Sequence, residues 1–93
     1  MNARRLHPFE YQLYRDFANG KDENIEVIFE RPTDHVVLVA LNDDKFVGAV
    51  HIDVPNKNIL ALNSSTFDDS MQIAQNWCEQ HQLTDVSFMA LTV

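Results

Sequence analysis

The residue types of this chain that could do chemistry are a single cysteine and four histidines. Cys78 falls on the apolar stripe of a predicted helix and near the C-terminal end of that helix, where the helix dipole raises the pKa of a thiol. A reactive thiolate needs partial exposure and positive surroundings, often at a helix N-terminus. We therefore expect Cys78 to pack in the core rather than to act as a nucleophile.

The four histidines are His7, His35, His51 and His81. Their spacing does not match a metal site of the His-x3-His kind. Two arrangements approach a carboxylate–imidazole pair: Asp34 directly precedes His35, and His51 and Asp53 would share one face of a strand. A general base also needs a substrate cleft, which the sequence does not predict. Structural or solvated roles are expected, and the sequence predicts no catalytic residue, no metal site and no cofactor.

The bulk composition excludes several function classes. Two glycines, Gly20 and Gly48, are too few for a P-loop or a dinucleotide-binding fingerprint. The formal charge of −7 argues against nucleic acid or an anionic membrane as a partner. This acidic excess either serves solubility alone or offers an acidic face to a basic protein surface. A lone cysteine favours a reducing cytoplasm, and no apolar run has the length of a membrane-spanning helix.

The first half of the chain predicts a helix, a strand and a hairpin. Phe9, Leu13 and Phe17 recur every four residues, with Leu6 and Tyr14 widening the stripe, which indicates a helix over residues 8–19 that stops at Gly20. Over residues 25–30, Ile25, Val27 and Phe29 alternate with Glu26, Ile28 and Glu30, which predicts a strand with one wetter face. Two apolar runs, at residues 36–41 and 46–54, are joined at Asn42-Asp43-Asp44-Lys45 and predict a hairpin whose first strand is covered on both sides.

The second half predicts a strand over residues 58–63, a helix and a last strand over residues 85–93. The helix opens at Ser64-Ser65-Thr66, and Ser65 with Asp68, or Thr66 with Asp69, would cap it. Its apolar stripe is Phe67, Met71, Ala74 and Cys78, broadened by Ile73 and Trp77.

These elements predict one α+β domain over residues 1–93, with a mostly antiparallel five-stranded sheet and two helices in the order α-β-β-β-β-α-β. Short connections make consecutive strands antiparallel neighbours. The buried set is expected to centre on Phe17, Val37, Val39, Val50, Met71, Ala74, Cys78 and Phe88.

The order of elements resembles the first part of a GCN5-related N-acetyltransferase. The stretch VVLVALNDDKFVGAVHIDV, residues 36–54, is similar to the second and third strands of that family. Asp43, Asp44, Val47 and Gly48 hold the places of the family's dg-x-hydrophobic-G pattern, which follows a hairpin tip. Residues 4–17 resemble its opening helix. The resemblance implies the acetyltransferase fold and, where the family's motif is present, binding of acyl-CoA.

That motif, an R/Q-x-x-G-x-G/A loop whose amides bind the pyrophosphate at a helix N-terminus, is absent from this chain. Residues 63–69 read NSSTFDD, so the glycines are missing and Asp68 and Asp69 would repel phosphates. Acetyl transfer is therefore not expected, and no functional residue is carried over from the family.

The sequence favours a small acidic cytoplasmic module that is not an enzyme and that self-associates or binds another protein. Val36–Leu41 and Phe88–Val93 are apolar on both faces, and two helices covering one face of the sheet would leave the other bare. A homodimer through the terminal strand or the outer face of the sheet is therefore expected. The alternative is a degenerate acyl-CoA-binding protein or acyltransferase of the GCN5-related type.

Overall fold

The computed structural model describes residues 2–64 and 68–93, which form a five-stranded sheet with one helix on each of its faces. Two 3-10 helices, Pro8–Glu10 and Ile25–Val27, lie before and after the first α-helix. The other elements are β1 (Asn2–Arg5), α1 (Tyr11–Ala18), β2 (His35–Asn42), β3 (Lys45–Asp53), β4 (Asn58–Asn63), α2 (Asp68–Gln80) and β5 (Ser87–Thr92).

The strands lie side by side in chain order, from β1 at one edge to β5 at the other. The first three pairings are antiparallel, whereas β4 and β5 are parallel because α2 carries the chain back across the sheet. At the predicted hairpin tip, Asp43 and Asp44 both have positive φ, as a two-residue type I′ turn requires. The predicted α+β fold with five strands and two helices is confirmed, although the sheet is mixed.

The order of elements differs from the prediction near the N-terminus. No strand forms at residues 25–30, because Ile25 and Ile28 pack on the core at the three-residue spacing of a 3-10 turn. The strand in its place is β1, which precedes α1 and pairs with β2. β1 is short and carries Arg4 and Arg5, so it lacks the apolar alternation of a strand. The observed order is β-α-β-β-β-α-β.

The two helices cover opposite faces of the sheet, which corrects the expectation that both cover one face. Tyr14 and Ala18 of α1 pack on Val37, Val39 and their neighbours, and we call this side the α1 face. Ala74 of α2 packs on residues that alternate with these, such as Val36, Val50 and Ile52, and this side is the α2 face. The first hairpin strand is covered on both sides, as predicted.

α1 is rotated relative to the predicted stripe. Phe9 and Leu13 of that stripe are 84% and 58% exposed, whereas its flanking members Leu6 and Tyr14 are buried, as is Ala18. The reason is an ion pair in which Arg4 of β1 donates from Nη1 and Nη2 to the buried carboxylate of Glu10, at 2.7 and 2.8 Å. The hydrogen bond from Arg4 lowers the pKa of Glu10 to about 2, so this carboxylate is charged. Because Glu10 directly precedes α1, its bond to Arg4 holds the start of the helix against β1.

α2 is likewise turned away from the predicted stripe, since Ser70 and Ala74 are buried, Ile73, Trp77 and Cys78 are half-buried, and Met71 is exposed. The predicted caps at Ser65 with Asp68 and Thr66 with Asp69, together with Phe67, lie outside the described residues and side chains.

The predicted buried set is partly confirmed. Four of its members are buried, namely Val37, Val39, Val50 and Ala74. Phe17 and Cys78 are half-buried at the rims of the two clusters. Met71 and Phe88 are exposed, so their assignment to the core is wrong. Phe88 is exposed because β5 is an edge strand rather than a central one.

The placement of α1 predicts different costs for two leucine truncations. Leu62→Ala empties a fully buried site on the α1 face and should lower the free energy of unfolding by about 2–5 kcal/mol. Leu13→Ala, the matched control on the exposed side of α1, should change it by no more than about 0.5 kcal/mol. Urea unfolding measures both, and equal losses would contradict the observed rotation of α1.

Candidate functional site

Four buried polar side chains form a continuous hydrogen-bonded chain on the α1 face. Tyr14 Oη donates to Asp22 Oδ2 at 2.5 Å, and His51 Nδ1 lies 2.8 Å from the same oxygen. His51 Nε2 in turn lies 2.9 Å from His35 Nδ1. All four residues are buried. We call this set the Tyr–Asp–His–His chain.

Each member comes from a different element. Tyr14 lies on α1, His51 on β3 and His35 at the start of β2. Asp22 follows α1 by a few residues, because Asn19 and Gly20 both adopt positive φ and turn the chain back under the helix. The backbone N–H of Asn24 donates to Asp22 Oδ1 at 3.1 Å and fixes the loop that carries the carboxylate.

The charges of the chain follow from its hydrogen bonds. Burial alone would raise the pKa of Asp22, but the hydrogen bonds from His51, Tyr14 and the Asn24 backbone outweigh it and hold that pKa below its usual value. Burial, with the charge of Asp22 beside it, raises the pKa of Tyr14 well above its ordinary range. At neutral pH Asp22 is therefore ionised and Tyr14 is protonated.

The hydrogen bond to Asp22 also fixes the position of one proton on His51. Because a carboxylate accepts hydrogen bonds, Nδ1 of His51 carries the proton that faces Asp22. In the neutral ring Nε2 of His51 is then an acceptor, and Nδ1 of His35 donates to it. Both ring nitrogens of His51 are engaged by protein groups, so His51 is not free to take a proton from a substrate. In the described residues no cluster of His, Cys, Asp and Glu has the geometry to hold a metal ion.

A cleft of about 430 Å³ opens beside the Tyr–Asp–His–His chain, where the sequence predicted no cleft. The loop at residues 21–24 forms one wall, and the ends of β4 and β5 form the other, with Leu60, Met89 and Leu91 among the residues that line it. Asp22 and His51 reach the floor of this cleft. The cleft therefore lies between the loop that follows α1 and the β4–β5 side of the α1 face.

The carboxylate–imidazole pairs considered from the sequence do not form. Asp53 accepts hydrogen bonds from the backbone and side chain of Asn56 instead of pairing with His51. The true partner of His51 is Asp22, which no local spacing could reveal because 29 positions separate the two residues. His35, considered with Asp34, bonds to His51.

The other residues considered from the sequence lie away from the Tyr–Asp–His–His chain. His7 stacks on Phe9 and His81 stacks on Trp77, and both imidazoles are exposed. Cys78 is half-buried on the packed side of α2, and burial raises the pKa of its thiol. These surroundings agree with a packing role for the thiol.

The free edge of β5 is a second surface of interest. The backbone N–H groups of Ser87 and Val93 donate to β4 and its flanking turn, so the N–H groups of Phe88, Ala90 and Thr92 point away from the sheet. Within the described residues β5 pairs with β4 alone. Phe88 is 39% exposed and Met89 60% exposed, and residues 87–93 carry no charge.

Comparison with known proteins shows which solved structure shares this fold. No protein-family model matches this chain, and no curated protein matches it either. Among solved structures, the crystal structure of an acetyltransferase from Vibrio fischeri is similar to it, with a TM-score of 0.56. The similarity covers 97% of this chain and 96% of that chain at 14% sequence identity. The resemblance to the GCN5-related N-acetyltransferase fold is confirmed, and at this identity it concerns the fold alone. None of the described helices is long and apolar enough to cross a membrane.

Removing one donor from Asp22 should weaken the protein in a pH-dependent way. Tyr14→Phe should lower the free energy of unfolding at pH 7 by about 1.5–3 kcal/mol, because a buried carboxylate loses a charge-assisted hydrogen bond. The pKa of Asp22 is lowered by folding, so the stability it contributes is present above the unfolded pKa of about 3.9 and is lost as the pH falls through the folded pKa. The loss in the variant should therefore shrink at low pH.

Tyr11→Phe is the matched control, since the Tyr11 ring packs edge-on against Phe29 and takes no part in the chain. Urea unfolding of both variants at pH 7 and pH 3 makes the comparison. A Tyr14→Phe loss that is independent of pH, or equal to that of the control, would contradict the assigned role of the phenol.

Proposed function

We propose that this protein is a non-catalytic interaction module of the cytoplasm that self-associates through the free edge of β5. In this dimer the β5 strands of two copies pair antiparallel about a two-fold axis, which joins two five-stranded sheets into one. The observation that carries the proposal is the row of outward N–H groups at Phe88, Ala90 and Thr92, set in an uncharged and partly apolar strand. The cytoplasmic location rests on the single cysteine.

The two edges of the sheet support this choice. Charged side chains and prolines on an edge strand discourage pairing with another sheet. The β1 edge carries Arg4 and Arg5, of which Arg5 is exposed and donates to the backbone carbonyl of Pro32. The β5 edge has neither charges nor prolines, so it lacks the usual protection against strand addition. An exposed Met89 beside this edge adds apolar surface that pairing would cover.

A second copy also suits the charge of the molecule. Two chains of formal charge −7 repel one another at a distance, but the surfaces that meet at β5 carry no acidic side chain. The repulsion is screened beyond about 8 Å at physiological ionic strength. The dimer should therefore form at moderate salt and weaken as salt is removed.

Sedimentation velocity tests the proposal, and Ala90→Pro is the sharpest variant. The N–H of Ala90 points away from β4. Proline at this position therefore removes one hydrogen-bond donor from the free edge and keeps the hydrogen bonds between β4 and β5. The unmodified protein should sediment as a dimer at micromolar concentration in 0.15 M salt, and Ala90→Pro should sediment as a folded monomer.

Met89→Lys should also give a monomer, because it places a positive charge beside each edge of a paired two-fold interface. Met71→Lys, which makes the same change on the exposed side of α2, is the control and should leave the dimer intact. A single species of 10.7 kDa at every concentration, or a dimer that Ala90→Pro does not disturb, would reject association through β5.

The second candidate function is that of a degenerate acyl-CoA-binding protein or acyltransferase, and the fold shared with an acetyltransferase favours it. Two features oppose it. Residues 63–69 contain no glycine, and the first two residues of α2 are Asp68 and Asp69. In addition, β4 and β5 are in register from Asn58 opposite Ser87 to Asn63 opposite Thr92, which leaves no opening between them for an extended ligand.

Coenzyme A separates the two candidates. A ligand that binds the folded state alone raises the thermal midpoint, by an amount that grows with its concentration relative to Kd. ATP at the same concentration is the polyanion control. We expect the thermal midpoint in millimolar coenzyme A to equal the thermal midpoint in ATP. A concentration-dependent rise with coenzyme A and not with ATP would establish the second candidate.

A further inference from the structure

Asn19 and Gly20 form the one Asn-Gly pair of the chain, and this pair lies in the turn that carries Asp22 to the histidines. In an Asn-Gly pair the backbone nitrogen of glycine can attack the side-chain amide carbon of asparagine, because glycine has no side chain to shield that nitrogen. Both residues are exposed, and beyond the chain neighbours no atom lies within 4 Å of the position that a Cβ of Gly20 would take. The N–H of Gly20 has no hydrogen-bond acceptor among the described residues.

The reaction of such a pair needs only water. The nitrogen of Gly20 forms a bond to Cγ of Asn19, and Nδ2 takes the proton of the Gly20 N–H and leaves as ammonia, so a succinimide ring remains. Water then opens this ring at one of its two carbonyl carbons. Opening at Cγ gives aspartate and restores the ordinary backbone. Opening at the main-chain carbonyl carbon gives isoaspartate, in which the backbone runs through Cβ and Cγ and the α-carboxylate is free.

The folded turn holds the two reacting atoms apart. Asn19 ends α1 with φ 51° and ψ 43°, and at this ψ the nitrogen of Gly20 lies on the side of the Cα–C bond opposite to Cβ. Ring closure requires this nitrogen and Cβ on the same side, so the peptide group between Asn19 and Gly20 has to rotate first. Gly20 permits that rotation because its own φ is unrestricted. The fold therefore slows the reaction without preventing it.

We propose that Asn19 is a site of spontaneous deamidation and isomerisation, and that its isoaspartate product breaks the hydrogen bonds of Asp22 to Tyr14 and His51. Isoaspartate lengthens the backbone by a methylene group between α1 and Asp22, whose buried carboxylate is bonded to these two side chains at 2.5 and 2.8 Å. It also places a carboxylate at the C-terminal end of α1, where the helix dipole disfavours negative charge. The α2 face and the proposed dimer edge take no part in the reaction.

Peptide mapping by mass spectrometry after incubation at pH 8 tests the site. The mass gain of deamidation should appear at Asn19 before it appears at any other asparagine, and enzymatic methylation of the free α-carboxylate should identify isoaspartate there. Protein unfolded in guanidinium chloride should react about tenfold faster than folded protein, because the rotated peptide group puts Asn19 in a sparsely populated backbone conformation.

Nuclear magnetic resonance of the 15N-labelled isoaspartate form, separated by ion exchange, tests the consequence. The backbone amide signal of Asn24, which donates to Asp22, should shift, and that of Val50 on the α2 face should not. Asn19→Gly is the matched control, since glycine suits the left-handed end of a helix and carries no amide to react. During the incubation the unmodified protein should lose stability to urea as isoaspartate accumulates, and Asn19→Gly should keep its stability.

Three results would overturn the proposal. In the first, another asparagine is modified before Asn19, or Asn19 stays intact in unfolded protein. In the second, the isoaspartate form has the same Asn24 signal as the unmodified protein, so that the turn accommodates the longer backbone and Asp22 keeps its bonds. In the third, Asn19→Gly loses stability during the incubation as fast as the unmodified protein, so that the loss has another origin.

Discussion

The parallel pairing of β4 with β5 is the constraint on which the rest of this structure depends. Parallel neighbours need a long crossover, and α2 supplies it and thereby covers one face of the sheet. The opposite face is left to α1 and the loop that follows it, and a cleft opens between that loop and β4 and β5. The same pairing makes β5 the edge, and within the described residues its outward backbone groups have no neighbouring strand. The cleft and the free edge of β5 therefore have one origin.

Asp22 links α1 and the loop that follows it to β3 of the sheet. An ionised carboxylate is costly to bury unless hydrogen bonds compensate for its lost water, and here the partners come from α1, the adjacent backbone and β3. Glu10 does the same for the other end of α1 through Arg4 of β1. Two buried carboxylates thus fix the rotation of α1, which explains why Phe9 and Leu13 face solvent although their spacing is that of a buried stripe. Charge, rather than apolar periodicity, sets the register of this helix.

The sequence allowed the central part of the fold to be predicted because strong local signals specify it. The hairpin at Asp43 and Asp44, the short β4, the helix α2 and the last strand all follow from runs of apolar residues and turn positions. Local sequence patterns predicted the wrong structure where contacts between residues far apart in the sequence determine it. β1 is a strand because Arg4 and its neighbours pair with β2, and residues 25–30 are turns because Ile28 is needed in the core. The bond between His51 and Asp22 spans 29 positions and depends on how α1 ends, which no motif encodes.

The central claim is that the edge of β5 is a pairing surface, and amide hydrogen exchange measured against protein concentration tests it most directly. The N–H groups of Phe88, Ala90 and Thr92 point away from β4, whereas those of Ser87 and Val93 are bonded within the chain. In a dimer joined at β5, outward amides gain partners and their exchange slows, while the inward amides are protected at every concentration. Our account predicts slow exchange at Ala90 in concentrated samples and fast exchange on dilution. Fast exchange at Phe88, Ala90 and Thr92 at all concentrations would contradict it.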